Sequence, residues 1–138
     1  MENVKLKINS WLYFVVFTAI VTITPLLKVQ FIVGTIINAT LFSAVIFLGV
    51  PQAIFLGIIP SMIVFLTNGL SFSLVPLIPF IVISNSILVV TFGVLKNRNF
   101  MLGAIISSLL KFIFLFSVSF LIVKFMIKKD LTDTITFL

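Results

Sequence analysis

Long apolar runs alternate with short polar segments along this chain, and the runs predict its helices. Five runs are long enough to cross a hydrocarbon core about 30 Å thick, which takes roughly 17–25 apolar residues in an α-helix. They cover residues 11–27, 31–48, 51–67, 74–95 and 100–123. The pattern predicts an all-α fold, a polytopic integral membrane bundle of about five transmembrane helices in a single domain, residues 1–138.

Glycine and proline mark the boundaries of these predicted helices. Gly49 ends the second run and Pro51 opens the third, where its missing N–H is not needed, so these two runs form a tight antiparallel pair. Pro60 predicts a kink in the third run. Pro76 and Pro79 predict an irregular or partly re-entrant start to the fourth.

The composition excludes a water-soluble globule and most catalytic chemistry. Hydrophobic residues make up 62% of the chain and charged residues only 9%, against roughly 25% charged residues in soluble domains. Cysteine and histidine are absent, and the only acids, Glu2, Asp130 and Asp133, lie near the ends. Zinc sites, thiol nucleophiles, imidazole bases and paired carboxylates need residues that this chain lacks. We therefore expect no enzymatic activity and no cofactor.

Basic residues near the runs predict the orientation in the plasma membrane. Those outside the runs are Lys5, Lys7, Lys28, Lys96, Arg98, Lys124, Lys128 and Lys129. Positive charge is enriched on the cytoplasmic side, so the N-terminus and residues 96–99 are predicted to be cytoplasmic and the 68–73 loop external. Five crossings place residues 124–129 outside, against the same rule. Three explanations stay open: the tail is exported despite its charge, one segment is re-entrant, or these lysines snorkel to a surface. These charges form no basic groove in water, so no nucleic-acid partner is expected.

Three polar side chains near the middle of three different runs are the candidate site. Asn38, Asn85 and Lys111 lie in the second, fourth and fifth runs, and Ser84 and Ser107 accompany them. A lysine at mid-membrane costs about 2.5–3.5 kcal/mol on insertion scales, so it should face the bundle interior or water. Together the five side chains predict a substrate-binding pocket, although intramembrane asparagines also serve as interhelical contacts. An anionic ligand, a partner subunit or a lipid balances Lys111, unless its amine is neutral.

Several segments also carry a family resemblance. They are Phe31–Ala39, Leu48–Pro51, Leu56–Ser61, Val75–Ile81, Ser84–Ser86 and Ser107–Phe112. With them, residues 10–120 resemble the S components of energy-coupling factor (ECF) transporters, the small membrane subunits that bind substrate, and especially short members of unassigned substrate. The resemblance implies a bundle that binds a vitamin-like solute and docks on a transmembrane coupling protein powered by two ATPase subunits.

The chain departs from that family in two respects. Members typically have six helices, and no sixth hydrophobic span occurs in this sequence. Ala19 stands alone where the family often carries a pair of spaced alanines for docking. A nickel or cobalt ligand is disfavoured, because these metals prefer histidine or other strong ligands.

Two functions remain open from the sequence. The first is a substrate-binding integral membrane component of a small-solute importer, without catalysis of its own. The alternative is a structural or assembly subunit of a larger membrane complex, in which Lys111 and the asparagines pair with partner helices. The direction in which Lys111 points distinguishes the two.

Overall fold

The computed structural model describes residues 2–27, 29–67 and 72–136, which are helical apart from short turns and contain no β-strand. Its elements are α1 (Glu2–Ile23), a 3₁₀ helix (Thr24–Leu27), α2 (Gln30–Phe47), α3 (Val50–Leu66), a second 3₁₀ helix (Phe72–Leu77), α4 (Ile78–Leu95) and α5 (Phe100–Thr136). The all-α prediction is confirmed. The first part of the predicted 68–73 loop, residues 68–71, lies outside the described residues.

Helix length and apolar composition set which helices fit a membrane. Among the described residues, three helical segments are long and apolar enough to cross one: Asn9–Leu27, Val75–Leu95 and Phe100–Lys129. Two shorter apolar helices, Phe31–Phe47 and Val50–Leu66, lie between them in the sequence. Large apolar side chains are exposed on every α-helix, which fits a lipid environment better than water.

The fourth and fifth helices differ at their ends from the predicted runs. The chain enters α4 through the 3₁₀ helix that contains Pro76, so the irregular start is confirmed. The fifth helix continues to Thr136, well past residue 123. No glycine or proline follows Gly103, so the change from apolar to charged residues does not end the helix.

A tight turn joins α2 to α3 in the antiparallel arrangement that the sequence predicts. Gly49 adopts a φ of 98°, a left-handed conformation that residues with a Cβ rarely adopt. The N–H groups of Leu48 and Gly49 both donate to Ala44 O, at 2.8 and 3.1 Å, and Pro51 lies in the first turn of α3. Pro60 lies inside α3, which is one continuous helix from Val50 to Leu66.

The apolar core is built by the first four helices. Its buried side chains are Phe17 and Val21 of α1, Ile37, Leu41, Ala44 and Val45 of α2, Ala53 and Leu56 of α3, and Leu88, Val89 and Phe92 of α4. Helix α1 packs on α2 and α3, and α4 packs on α2 and α3. The fifth helix packs along α4 and contributes no residue to this core within the described part of the chain.

At one end of the bundle, contacts connect α1 near Tyr13, the turn between α2 and α3, and the turn between α4 and α5. The rings of Tyr13 and Phe47 stack with centroids 4.8 Å apart. Lys96 Nζ donates to Val45 O at 3.1 Å, which gives a carbonyl in the last turn of α2 a partner. A Cβ on Gly93 would collide with the side chain of Val50. The N-terminal half of α1 near Tyr13, the α2–α3 turn and the α4–α5 turn therefore lie at the same end of the bundle.

Candidate functional site

The amine of Lys111 points from α5 into the bundle. Lys111 Nζ donates to Asn85 Oδ1 on α4 at 2.7 Å and also to Asn38 Oδ1 on α2. Asn85 and Asn38 are 26 and 73 residues from Lys111 in sequence, so only the helix packing brings the three side chains together. The lysine faces other helices of its own chain.

Asn85 is the centre of this arrangement. Its side chain is 2% exposed, and its Nδ2 donates to the backbone carbonyl of Gly57 on α3 at 2.8 Å. The absence of a side chain on Gly57 permits the approach, because a Cβ there would lie 3.1 Å from Asn85 Cβ. We call Asn38, Gly57, Asn85 and Lys111 the polar cluster, and its hydrogen bonds join α2, α3, α4 and α5.

A stripe of three residues attaches α5 to the rest of the bundle. Gly103, Ser107 and Lys111 are spaced by four residues and so lie on one face of the helix. A Cβ on Gly103 would lie 3.3 Å from backbone atoms of Leu95 and Lys96, so the two helices are close at this point. Ser107 is fully buried one turn later. We call these three residues the α5 stripe.

The structure places the five predicted site residues in two groups. Asn38, Asn85 and Lys111 meet in the polar cluster, as the sequence predicts. Ser84 and Ser107 are buried, but their hydroxyls donate to carbonyls of their own helices, Ile81 O at 2.8 Å and Ala104 O at 3.1 Å. This is the common behaviour of serine within a helix, and it leaves these hydroxyls without a bond to the cluster.

Two polar contacts were not predicted from the sequence. The carbonyl of Gly57 belongs to the cluster, and Lys96 binds a carbonyl of α2. Backbone carbonyls have no signature in the sequence, so only Gly57, a small residue four positions before Ser61, hints at the first contact. Nothing in the sequence indicates the second.

The cluster is rich in hydrogen-bond donors. An ammonium group has three N–H donors, and Lys111 uses two of them on neutral amide oxygens. Acidic residues occur only at positions 2, 130 and 133, so none lies near Lys111 in sequence. Among the described residues, no three His, Cys, Asp or Glu side chains are grouped to hold a metal ion. The chemistry on offer is therefore the binding of an acceptor by an amine and amides.

Comparison with known proteins adds no family to this geometry. No protein-family model, no curated protein and no solved structure matches the chain.

Proposed function

We propose that this chain is a five-span membrane bundle that serves as the substrate-binding component of a small-solute importer, without catalysis of its own. The observation that carries the proposal is the inward-pointing amine of Lys111 at the junction of four helices. An ammonium among apolar helices costs free energy, and a binding role explains why it is there.

Helix dimensions support the five spans. At 1.5 Å per residue, the 18 residues of α2 and the 17 of α3 extend about 27 and 26 Å, close to the roughly 30 Å of a hydrocarbon core. Both pack against α1 and α4, which belong to apolar segments long enough to cross a membrane. The N-terminal half of α1, the α2–α3 turn and the α4–α5 turn lie at one end of the bundle, as five successive crossings require. The basic residues favour the cytoplasm for that end.

Site-specific labelling tests this topology. The chain contains no cysteine, so single cysteines at Ser71 and Asn97 report one position each. With an impermeant thiol reagent on intact cells, we expect labelling at position 71 and none at position 97 until the membrane is opened. Labelling of both from the same side would contradict the five-span arrangement.

The exposure of the cluster supports a ligand that enters from outside the bundle. Asn85 is buried, whereas Asn38 and Lys111 remain partly exposed. The remaining N–H of Lys111 favours an anionic or carbonyl-rich solute, because a hydrogen bond from an ammonium to an anion is stronger than a neutral one. By its resemblance to S components, the chain would deliver this solute through a transmembrane coupling protein and two ATPase subunits.

Mass spectrometry of co-purifying small molecules tests the binding function. We expect the wild-type protein, purified in mild detergent, to carry a small anionic molecule and the Lys111→Met variant to lose it. Lys124→Met is the matched control, because Lys124 is an exposed lysine on the same helix. Met keeps the length and apolar stem of lysine but removes its donors.

The alternative function, an assembly subunit of a larger complex, makes a different prediction for the same variant. If the cluster only holds helices together, Lys111→Met should weaken association with partner proteins and shorten the lifetime of the protein. Wild-type protein without any bound small molecule, together with loss of a partner from the variant, would favour that alternative.

A further inference from the structure

Ser61 has a buried hydroxyl without a hydrogen-bond partner. The side chain is 3% exposed, and its Oγ has no partner within the described part of the chain. The other four buried hydroxyls in that part all donate to a carbonyl three or four residues earlier; they belong to Thr24, Thr40, Ser84 and Ser107. Ser61 departs from this behaviour.

Asn85 occupies the acceptor that Ser61 would ordinarily use. The carbonyl four residues before Ser61 is that of Gly57, and Asn85 Nδ2 donates to it at 2.8 Å. The two donors therefore compete for one backbone oxygen, and in the structure Asn85 holds it. Ser61 is left with an unused O–H inside the bundle.

The helix register places Ser61 beside the polar cluster. Leu41 of α2 lies opposite Gly57 of α3, because a Cβ on Gly57 would be 3.7 Å from Leu41 Cδ2. The two helices are antiparallel, so one turn forward on α3 corresponds to one turn back on α2. Ser61 is therefore level with Ile37 and its neighbour Asn38.

We propose that Ser61 is a further ligand-binding residue, and that its hydroxyl and the third N–H of Lys111 bind the two oxygens of a carboxylate. The inference rests on the proposed binding function and names its ligand class. An unpaired buried hydroxyl is costly, and a carboxylate oxygen removes that cost. Two donors of this kind, with no acid nearby in sequence, match an acceptor with two oxygens and a negative charge.

Matched carboxylate and amide probes test this inference. Butyrate, hexanoate and benzoate are titrated into the purified full-length protein by calorimetry, in parallel with butyramide, hexanamide and benzamide. We expect the carboxylates to bind and their neutral amides not to. Ser61→Ala should raise the Kd of the carboxylates about tenfold, the loss of one hydrogen bond to a charged group. Ser43→Ala, which removes a hydroxyl that donates to Ala39 O, should leave it unchanged.

The outcomes separate this inference from the proposed function. Carboxylate binding with the same Kd in Ser61→Ala overturns the role of Ser61 and leaves the binding function standing. If the wild type binds no carboxylate probe, the ligand class is wrong, while a co-purifying solute lost in Lys111→Met still supports the binding function.

Thermal unfolding without any ligand tests the competition for Gly57 O. In the wild type, Ser61→Ala should leave the melting temperature unchanged or raise it, because the hydroxyl has no partner. In an Asn85→Ala background, Ser61 is free to bond Gly57 O, so the same substitution should lower the melting temperature. An equal change of melting temperature in both backgrounds would show that Asn85 does not keep Ser61 from Gly57 O, and it would overturn the proposal.

Discussion

The first four helices and the fifth are held in different ways. Helices α1 to α4 share a core of fully buried apolar side chains such as Val21, Leu41, Leu56 and Phe92. Most apolar side chains of α5 are exposed, and its buried residues in the described part are Gly103 and Ser107 of the α5 stripe. The core is apolar, whereas the buried residues of the fifth helix are small or polar, and they lie beside apolar contacts such as that of Phe100 with Phe92.

For the membrane location that we propose, this difference indicates what specifies the position of a helix. Lipid tails are as apolar as leucine, so an apolar face gains little by turning from lipid to another helix. The α5 stripe differs, because its glycine, its buried serine and the lysine amine that needs acceptors are favourable only when they face the bundle. The α5 stripe therefore fixes the rotation of α5, which apolar packing alone would leave poorly defined.

The largest expected effect comes from removing the centre of the polar cluster. Asn85→Leu removes one acceptor of the Lys111 amine and the hydrogen bond that joins α4 to Gly57 O of α3, and leaving a buried charged donor short of a partner costs on the order of 1–3 kcal/mol or more. We expect the free energy of unfolding in detergent to fall by about 3 kcal/mol. Asn97→Leu, at an exposed turn position, is the control and should change it little. A small loss for Asn85→Leu would mean that the cluster does not hold α5.

A larger side chain in the α5 stripe tests the close approach of α4 and α5. Gly103→Leu would push against backbone atoms of Leu95 and Lys96, which cannot move aside as a side chain can. We expect a loss of about 2 kcal/mol, typical of overpacking, measured by denaturant unfolding in detergent. Gly34→Leu is the matched control, because a Cβ on Gly34 has no neighbour within 4 Å. Equal losses at both positions would contradict a specific α4–α5 contact.

Removal of the charge itself should have a smaller effect. Lys111→Met leaves Oδ1 of Asn38 and Oδ1 of Asn85 without this donor, but it also removes an ammonium whose desolvation among apolar helices is costly, so the two effects largely offset each other. We expect the free energy of unfolding to change by less than about 1 kcal/mol. A loss as large as that of Asn85→Leu would show that Lys111 is needed mainly for stability, which supports the assembly-subunit alternative.

The smallest effect is expected at the two buried serines bonded to their own helices. Ser84→Ala and Ser107→Ala each remove a hydroxyl together with its bond to a local carbonyl, and such intrahelical bonds add little. Each variant should unfold within about 0.5 kcal/mol of the wild type, in the range of near-neutral substitutions. A greater loss at Ser107 would mean that its hydroxyl contributes to the α4–α5 contact.

The sequence predicts the helices well and their packing only in part. Apolar runs locate the helices because each run is long enough to form one, and Gly49 and Pro51 locate the α2–α3 turn. The end of α5 could not be predicted, because Lys124 marks a change of polarity and not a break in backbone hydrogen bonding. Charged residues continue a helix as readily as apolar ones.

For the candidate site, the sequence indicates which side chains are costly but not what they touch. Asn38, Asn85 and Lys111 stand out because polar groups are rare in apolar runs, and the structure brings them together. Ser84 and Ser107 have the same signal, yet their hydroxyls bond to their own helices. The role of Gly57 depends on a backbone carbonyl, and that of Ser61 depends on Asn85 occupying this carbonyl. Neither can be read from residue type.

The length of α5 places its C-terminal end far from the α5 stripe. Its 37 residues extend about 55 Å, whereas the α5 stripe occupies only the first third of the helix. The backbone at Thr136 lies about 44 Å along the axis from Ser107, so a tilt of about 10° around the stripe moves that end by roughly 7–8 Å. A small tilt of α5 at the α5 stripe thus displaces the C-terminal end of the helix by more than the rise of one helical turn.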